Sequence, residues 1–391
     1  MKLAIVLDNN VTKAIVAPFE AVAAASHGIE FVVFIGEKNK SETASITLPK
    51  CYLSHKKEVM SALREPVRSI RRLRTNTESR MDFYYNSLAD DLRGFDAVYT
   101  QDVSRSLYTL ASLKEELGFK IMLRWWEVLP YKRLFNAKDR YIGASSLPMV
   151  DIFMPATLTA AQALKLEGVP EDRITHVYPG VDTAVFTPPV AAVSKEAFGI
   201  PAGKAAVLFA GRLVSHKGIY VLLWAALRLK ADGLLDRLVF VMAGGGGKGE
   251  LQRMAREMGV AAAFHFTGHV PYDRMPELYA ACDIFCLPST MKESIQEQFG
   301  YVLAEAMACG RPVVASRVGG IPEVVGGAGL LVTPGDFNDL ADKLTSLITN
   351  AELRAGLGAA ARKRALELFD LAQTTPKWAQ AIERLRNLGR A

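Results

Sequence analysis

Short apolar runs and helical segments alternate along the whole chain, and this alternation limits the possible fold more than any other feature. The runs of a first series are KLAIVL, EFVVFI, DAVYT, FKIMLR, DIFMPA and ITHVYP. The runs of a second series are AAVLFAG, RLVFVMAG, AFHFTG, DIFCLPS, RPVVAS and AGLLVTP. Short, almost wholly apolar runs that alternate with helical patterns are typical of parallel strands buried on both faces. The sequence therefore predicts an α/β protein with parallel sheets built from βαβ units.

The length of the chain and the break between the two series predict two domains. The chain has 391 residues, which is too long for one core. Residues 187–204 are rich in proline, glycine and alanine, and we interpret them as the linker. We expect Rossmann-like, doubly wound domains over 1–190 and 191–372, and a C-terminal helix over 373–391, started by Pro376, that returns to the first domain. Because ligands bind at the carboxyl ends of strands in such sheets, two domains facing one another would enclose a central cleft.

The composition excludes several classes of protein. No apolar run approaches the ~20 residues that cross a bilayer, and Met1–Asp8 reads as a strand because no cleavage site follows it. We therefore expect a cytoplasmic protein. The four cysteines lack the paired spacing of a metal site. We interpret them as small core residues in a reducing compartment, and we expect no metal.

The positive charge of the chain is concentrated in one segment. Residues 50–80 hold nine basic and three acidic residues. The excess of positive charge in this segment equals the net charge of +6 of the whole chain. Within residues 56–74 apolar residues recur at helical spacing, so the predicted helix has one apolar and one basic face. Two interpretations stay open: a solvated face over a buried stripe, or peripheral contact with an anionic membrane. Nucleic acid is not an expected partner, because no aromatic residues alternate with the basic ones.

Two glutamates eight residues apart flank a predicted helix start. Glu297 precedes the turn Phe299–Gly300, and Glu305 is expected about two turns inside the helix that follows. A helix N-terminus suits a phosphate, and a carboxylate on each side of it can hold hydroxyl groups. The alternative is a carboxylate favoured by the helix dipole and a solvated helix residue. The spacing alone favours that alternative, so the decision rests on other segments.

Two other segments combine glycine with positive charge after strand-like runs. Gly211–Gly218 (GRLVSHKG) places Arg212 and Lys217 at a strand-to-helix turn, where both can bind a diphosphate. The alternative is a surface loop with ordinary basic residues. Met242–Glu250 (MAGGGGKGE) matches a G-x-G-x-x-G pattern only because it is rich in glycine. We interpret it as a loop that passes close to a nucleotide.

Taken together, these segments resemble the retaining glycosyltransferases of family 4, which have the GT-B fold. The resemblance rests on GRLVSHKG (211–218), on FTGHVPYDRMPELYAACDIFCLPS (266–289) and above all on EQFGYVLAEAMACGRPVVASRVGGIPEVV (297–325). A weaker match, THVYPGVDTAVFTP (175–188), is similar to the family's exit from its first domain. The resemblance is dense over about 140–370 and sparse before it.

The resemblance implies roles for individual residues. Arg212 and Lys217 would bind the diphosphate of a nucleotide sugar, Glu297 would hold hydroxyl groups of the transferred sugar, and Glu305 would bind the ribose. The expected catalytic residues are Arg212, Lys217 and Glu297. Fixed cations and a helix N-terminus would stabilise charge on a departing diphosphate without a metal. The residues that the resemblance places against the donor are Gly211, Gly244, His269, Val270, Gln298, Phe299, Gly300 and Glu305.

The first domain departs from the family pattern. Many members carry two glycines after the first strand, where this chain has Asp8–Lys13 without a glycine, so Asn9 or Lys13 could serve as donors there. Many members also carry a histidine after the strand FKIMLR, where this chain has Trp125–Trp126 followed by Glu127. Glu127 could hold a sugar hydroxyl and the tryptophans could stack on a sugar. Alternatively, the tryptophans cover the core.

The expected function is metal-independent, retaining transfer of a hexose-type sugar from a nucleotide diphosphate sugar to a hydroxyl acceptor. The donor base is expected to be uracil or guanine, and the acceptor a glycan, a lipid-linked molecule or a small molecule. Two alternatives stay open: a GT-B phosphorylase or epimerase, and a non-catalytic scaffold that binds nucleotide sugars.

Overall fold

The computed structural model describes residues 1–7, 11–25, 28–36, 43, 45–53, 87–189, 193–291 and 295–388. The chain divides into two compact units. Unit 1 consists of Met1–Ala156, Ala161–Val177 and Thr375–Ala391. Unit 2 consists of Thr157–Ala160 and Tyr178–Thr374.

Unit 1 contains a parallel sheet of six strands among its described residues. The strands are β1 (Lys2–Leu7), β2 (Glu30–Gly36), β3 (Lys50–Leu53), β4 (Ala97–Gln101), β5 (Lys120–Trp125) and β6 (Ile152–Pro155). Their order is β3-β2-β1-β4-β5-β6, and Ile5 of the central β1 pairs with Val33 on one side and Tyr99 on the other. The predicted parallel sheet is therefore confirmed. The run ITHVYP is not a strand, because only Ile174 makes a bridge, to Phe153.

Helices connect the strands of unit 1 and cover its sheet. Those before residue 178 are α1 (Lys13–Ala24), α2 (Leu88–Asp91), α3 (Arg105–Leu117), α4 (Ala137–Ser146) and α5 (Leu158–Leu166). Side-chain caps fix two of the helix starts. Ser104 Oγ accepts a hydrogen bond from Leu107 N at the start of α3, and Asn136 Oδ1 accepts one from Lys138 N at the start of α4.

Unit 2 contains a second parallel sheet of six strands among its described residues. They are β7 (Ala205–Ala210), β8 (Leu238–Ala243), β9 (Phe264–Gly268), β10 (Ile284–Leu287), β11 (Val313–Ser316) and β12 (Leu330–Val332). The order is β12-β11-β10-β7-β8-β9. Every run of the second predicted series forms a strand. The helices of unit 2 are α6 (Ile219–Ala231), α7 (Lys248–Glu257), α8 (Met275–Ala281), α9 (Tyr301–Ala308), α10 (Ile321–Val325), α11 (Phe337–Thr349) and α12 (Ala351–Leu368).

The last helix, α13 (Leu371–Asn387), begins in unit 2 and continues in unit 1. Its start differs from the expectation at Pro376, which lies inside the helix. The helix begins earlier because Asp370 accepts a hydrogen bond from the backbone N–H of Ala372. In unit 1 its buried Trp378 lies against Phe19, with ring centroids 4.9 Å apart, and so completes the core over β1.

The chain passes from unit 1 to unit 2 after Val177 and returns to unit 1 after Thr374. The sequence-based division after residues 190 and 372 stays a prediction. Residues 178–189 are counted with unit 2 because they are bonded to its C-terminal part. Thr183 Oγ1 donates a 2.6 Å hydrogen bond to Asp370, and Arg362 donates to the carbonyl of Phe186. The middle of the predicted linker is also fixed, because Lys195 forms a 2.7 Å ion pair with Asp283.

Candidate functional site

The loops that follow β7, β8 and β9 are bonded to one another at the carboxyl edge of the unit 2 sheet. Gly211 N donates to the carbonyl of Ala243, and Gly244 N donates to the carbonyl of Gly268, at 2.9 and 2.8 Å. A Cβ atom on Gly244 would lie 1.9 Å from the Gly211 carbonyl oxygen. Glycine at position 244 is therefore required by this close approach of backbones, and its predicted contact with a donor stays a prediction.

The loop after β7 carries the two predicted cations. Arg212 is exposed, and its guanidinium pairs with no carboxylate that the structure describes. Lys217 ends a short 3₁₀ helix, and Gly218 follows with a φ of 79°. A Cβ atom on Gly218 would lie 1.8 Å from the carbonyl oxygen of Pro288, so this glycine lets the loop pack against the end of β10. Lys217 is thereby held at the edge of the sheet.

Lys217 and Glu297, which are eighty residues apart in the chain, form an ion pair. The Nζ atom of Lys217 donates to Oε2 of Glu297 at 2.5 Å, and the side chains are 21% and 12% exposed. The buried Ser289 donates a second hydrogen bond to the same oxygen at 3.3 Å. Sequence reasoning predicted the first two residues and missed Ser289, which is the last residue of the predicted run DIFCLPS. Both of these donors bind Oε2, and together they fix the position of the carboxylate.

Two glycines of the GGIPE segment support the backbone behind Glu297. Gly320 N donates to the Glu297 carbonyl at 2.9 Å. A Cβ atom on Gly319 would lie 1.9 Å from that carbonyl oxygen, and one on Gly320 would lie 2.0 Å from the carbonyl oxygen of Gln298. The sequence singled out these glycines only as part of a motif, and the structure shows that close backbone packing requires them.

The segment between the two glutamates turns into α9 as predicted. Gly300 precedes the helix with a φ of 77°, a left-handed conformation that favours glycine. Phe299 is buried and makes edge contacts with Tyr301 and Phe369, with ring centroids 5.5 and 5.4 Å apart. Because Phe299 anchors the turn, the backbone N–H groups at the start of α9 have a fixed direction. The positive end of the helix dipole lies at these N–H groups and is a suitable site for an anion.

Glu305 lies closer to the helix start than expected and is buried. It is the fifth residue of α9, just beyond the first turn rather than two turns inside, and it is 3% exposed. Tyr279 Oη donates a 2.8 Å hydrogen bond to Glu305 Oε2, and Tyr272 also hydrogen-bonds this carboxylate. Burial raises the pKa of Glu305 to about 7, although both hydroxyl groups oppose the shift. The two tyrosines are partners that sequence reasoning did not find.

His269 and Val270 lie in the loop after β9. Gly268 precedes them with a φ of 74°, and the His269 side chain is exposed. The backbone bond from Gly244 to Gly268 joins this loop to the loop after β8. The predicted contacts of His269 and Val270 with a donor stay predictions.

The predicted site residues of unit 1 do not form one cluster in the described part of the chain. Asn9 lies outside the described residues. Lys13 begins α1, and its ammonium group donates to Glu20 at 2.5 Å and to the carbonyl of Ser45. Glu127 accepts hydrogen bonds from two backbone N–H groups of its own turn and forms an ion pair with Lys132. Their proposed contacts with a sugar stay predictions.

The end of β5 resolves the two interpretations of the tryptophans. Trp125 and Trp126 are 3% and 8% exposed, so they cover the core rather than offer a stacking surface. Asp102, at the end of β4, has a φ of 56° and was not singled out by the sequence. These residues mark the carboxyl edge of the unit 1 sheet.

Several wider expectations concern the whole chain. Among the described residues, no three His, Cys, Asp or Glu side chains come together in a group that could hold a metal ion. None of the described helices combines the length and apolar content needed to span a bilayer. All four cysteines are free, and Cys282, Cys286 and Cys309 are buried. The predicted basic helix over 56–74 lies outside the described residues.

Comparison with known proteins shows a family match in unit 2. Residues 191–364 match the family model described as glycosyl transferases group 1. The chain is 38% identical over 226 residues to a D-inositol 3-phosphate glycosyltransferase of Saccharomonospora viridis, a match that covers 55% of this chain and 51% of the relative. It is 35% identical over 196 residues to the enzyme of that name from Mycolicibacterium smegmatis, covering 48% and 43%. The chain thus spans about half the length of these curated relatives.

Solved structures match the chain over nearly its whole length. Anabaena Alr3699/HepE in complex with UDP-glucose has a TM-score of 0.77 at 20% identity and covers 99% of this chain and 100% of its own. Sucrose-phosphate synthase from Thermosynechococcus elongatus has the same TM-score and identity, with 99% of each chain covered. At this identity the likeness shows the fold alone. The family model and the curated relatives show that residues 191–364 are similar to the group 1 glycosyl transferases, and the likeness to the solved structures shows that the chain has the GT-B fold.

Proposed function

We propose that this protein is a metal-independent, retaining glycosyltransferase. It would transfer a hexose-type sugar from a nucleotide diphosphate sugar to a hydroxyl group of an acceptor, in the cytoplasm. The family match and the names of the curated relatives support glycosyl transfer. The pairing of Lys217 with Glu297 beside the start of α9 carries the proposal, because it joins a cation for phosphate with a carboxylate for sugar hydroxyls.

The proposed reaction breaks the bond between the anomeric carbon and the donor phosphate oxygen. The acceptor oxygen forms the new bond to that carbon, and its proton passes to the departing phosphate oxygen. Negative charge grows on the diphosphate during this step, so fixed positive groups stabilise the transition state more than the ground state. Lys217, Arg212 and the N–H groups at the start of α9 would supply that stabilisation. This is the reason for proposing that no metal ion is needed.

Glu297 would orient the sugar instead of attacking it. Its Oε2 atom already accepts hydrogen bonds from Lys217 and Ser289, and this leaves Oε1 to accept from sugar hydroxyl groups. A carboxylate bound in this way is a weak nucleophile, so the proposal includes no covalent sugar intermediate. Retention of the anomeric configuration rests on the family resemblance and on attack from the face that the diphosphate leaves. Glu305, held by Tyr279, would accept from the ribose.

Uridine diphosphate is the first donor to test, with guanosine diphosphate second. The structural relative Alr3699/HepE is described in complex with UDP-glucose, although the likeness to it extends to the fold alone. The curated relatives are named for D-inositol 3-phosphate, but the match to them covers about half of each chain. We therefore propose the acceptor only as a hydroxyl-bearing molecule, whether glycan, lipid-linked or small.

A ligand-induced rise in thermal stability tests donor binding. UDP-glucose, UDP-N-acetylglucosamine, GDP-mannose and ADP-glucose are compared, and a donor at 100 times its Kd should add about 2.7 kcal/mol of stability. Lys217→Met and Glu297→Gln should lose this rise and lower kcat/KM by about 100-fold or more. Lys363→Met removes a 77% exposed lysine of the same unit and is the matched control. Unchanged binding and turnover in both site variants would contradict the proposal.

Two further assays distinguish the alternatives. A phosphorylase would require inorganic phosphate and release a sugar phosphate, and an epimerase would convert one nucleotide sugar to another without an acceptor. A scaffold would bind a nucleotide sugar with no turnover across a broad set of acceptors. Release of the free nucleoside diphosphate that depends on an acceptor supports only the transferase.

A further inference from the structure

The turn that follows β5 exposes three large apolar side chains. Tyr131 is 43% exposed, Leu134 is 49% exposed and Phe135 is 83% exposed, the highest value for a large apolar residue in the described chain. Residues 131–135 are called the apolar turn here. A single exposed apolar side chain needs no explanation, but three within five residues mark an interaction surface.

The apolar turn is held in place by a buried carboxylate. Tyr131 has a φ of 58°, in the left-handed region that a bulky residue rarely adopts. The Tyr131 N–H donates to Glu167 at 2.6 Å, and Arg133 forms an ion pair with the same carboxylate, whose side chain is 2% exposed. Gly143 leaves room for this arginine, since a Cβ atom there would lie 2.5 Å from Arg133 Cδ. A strained backbone that the fold holds in this way indicates a function for the side chains it exposes.

Basic residues lie within the apolar turn and on its C-terminal side. Lys132 and Arg133, within the turn, form ion pairs with Glu127 and Glu167. The next two basic residues, Lys138 and Arg140, lie in the exposed first turn of α4 and form no ion pair with the carboxylates that the structure describes. Exposed apolar side chains, followed in the chain by cations that pair with no described carboxylate, complement a surface that is apolar inside and negatively charged outside.

The apolar turn lies close in the chain to the carboxyl edge of the unit 1 sheet. The turn begins six residues after the end of β5, and Glu127 at that strand end is bonded to Lys132 within the turn. Ligands of doubly wound sheets bind at the carboxyl ends of the strands. A surface that covers the apolar turn would therefore lie next to any acceptor bound at this edge.

We infer that the apolar turn docks on an anionic lipid surface. A stable protein partner would need roughly 800 Å² on this chain, whereas only three apolar side chains are exposed here. A lipid surface needs less, because a few inserted side chains and a few cations give weak, reversible binding. The inference goes beyond the proposed function and does not depend on it.

Vesicle flotation tests the inference. The wild-type chain should float with vesicles of equal parts phosphatidylcholine and phosphatidylglycerol, and much less with phosphatidylcholine alone. The double variant Leu134→Ser/Phe135→Ser should lower the partition coefficient by about tenfold or more. Leu166→Ser/Leu366→Ser, which removes two other exposed leucines, is the matched control and should bind like the wild type. Equal binding of the first variant and the wild type, or no binding of the wild type, would overturn the inference.

Insertion is measured directly with a second pair of variants. Phe135→Trp should show quenching of its emission by brominated acyl chains, whereas Leu366→Trp should show none beyond the wild type. No additional quenching in Phe135→Trp, even with vesicle binding intact, would also overturn the inference. An unchanged circular dichroism spectrum and Tm of Leu134→Ser/Phe135→Ser, measured without ligand, confirm that the variant is folded. Because neither flotation nor quenching involves a nucleotide sugar, failure of the proposed transferase and failure of lipid docking are seen separately.

Discussion

Removal of the Tyr279 hydroxyl should destabilise the protein in a manner that depends on pH. Tyr279 donates to the buried Glu305, whose pKa is raised to about 7. The protonated Glu305 contributes its full stability below about pH 4.5, which is its pKa in the unfolded chain. That contribution is lost as the pH rises through about 7, which is its pKa in the folded protein. The ionisation of Glu305 at high pH therefore lowers the free energy of unfolding by about 3 kcal/mol.

Tyr279→Phe should increase that loss at high pH. A hydrogen bond to an ionised group contributes about 1.5–3 kcal/mol, and one to a neutral group contributes about 1 kcal/mol. We expect the variant to lose about 2–3 kcal/mol at pH 8 and about 1 kcal/mol at pH 5. For a unit of roughly 200 residues, the loss at the higher pH corresponds to a fall in Tm of about 4–12 °C.

Urea unfolding at both pH values measures the difference. The Glu305→Gln protein, with and without Tyr279→Phe, is the control, because its amide does not titrate. In that background the effect of Tyr279→Phe should be the same at both pH values. The reasoning is refuted if Tyr279→Phe costs the wild type equally at both pH values, or if the pH dependence persists beside Gln at position 305.

Other substitutions in unit 2 have defined expectations. Gly319→Ala places a Cβ atom 1.9 Å from the Glu297 carbonyl oxygen and should abolish donor-induced stabilisation, whereas Gly327→Ala, with open space around it, should preserve it. Glu323 accepts from the first backbone N–H groups of α5 at 2.6 and 2.9 Å, so Glu323→Ala should lower the free energy of unfolding by about 1–2 kcal/mol in urea titrations. Glu352→Ala, an exposed control, should change it by less than about 0.5 kcal/mol.

The strands were predictable where burial on both faces leaves an unbroken apolar run. All runs after residue 204 form strands for this reason. Ile174 was wrongly included in a strand because its local pattern is apolar, yet only one residue pairs. Lys50–Leu53 was missed because its four residues include a lysine and a half-exposed cysteine, and only the pairing with β2 makes it a strand.

The paired groups of the candidate site were predictable, and their support was not. Lys217 and Glu297 follow different strands, and the rule that ligands bind at carboxyl strand ends brings them to one edge. Their contact confirms that they lie together, not that they bind a donor. In the sequence, Tyr279 cannot be distinguished from the apolar residues of the buried helix that contains it. The only available signal was that a buried tyrosine hydroxyl requires a partner, and which partner it finds depends on how α8 and α9 pack.

The return of α13 to unit 1 has a consequence for the order of events during synthesis. Trp378 packs against both Phe19 and Tyr99 in the core, and the Arg124 guanidinium lies 5.2 Å from its ring. Roughly 200 residues separate Val177 from this tryptophan, so a ribosome adding about 5–20 residues per second needs on the order of 10–40 s to make them. During that interval the nascent unit 1 has a gap over its sheet. Because unit 2 ends at Thr374, just before Trp378, unit 1 should be completed only after nearly the whole chain has been made.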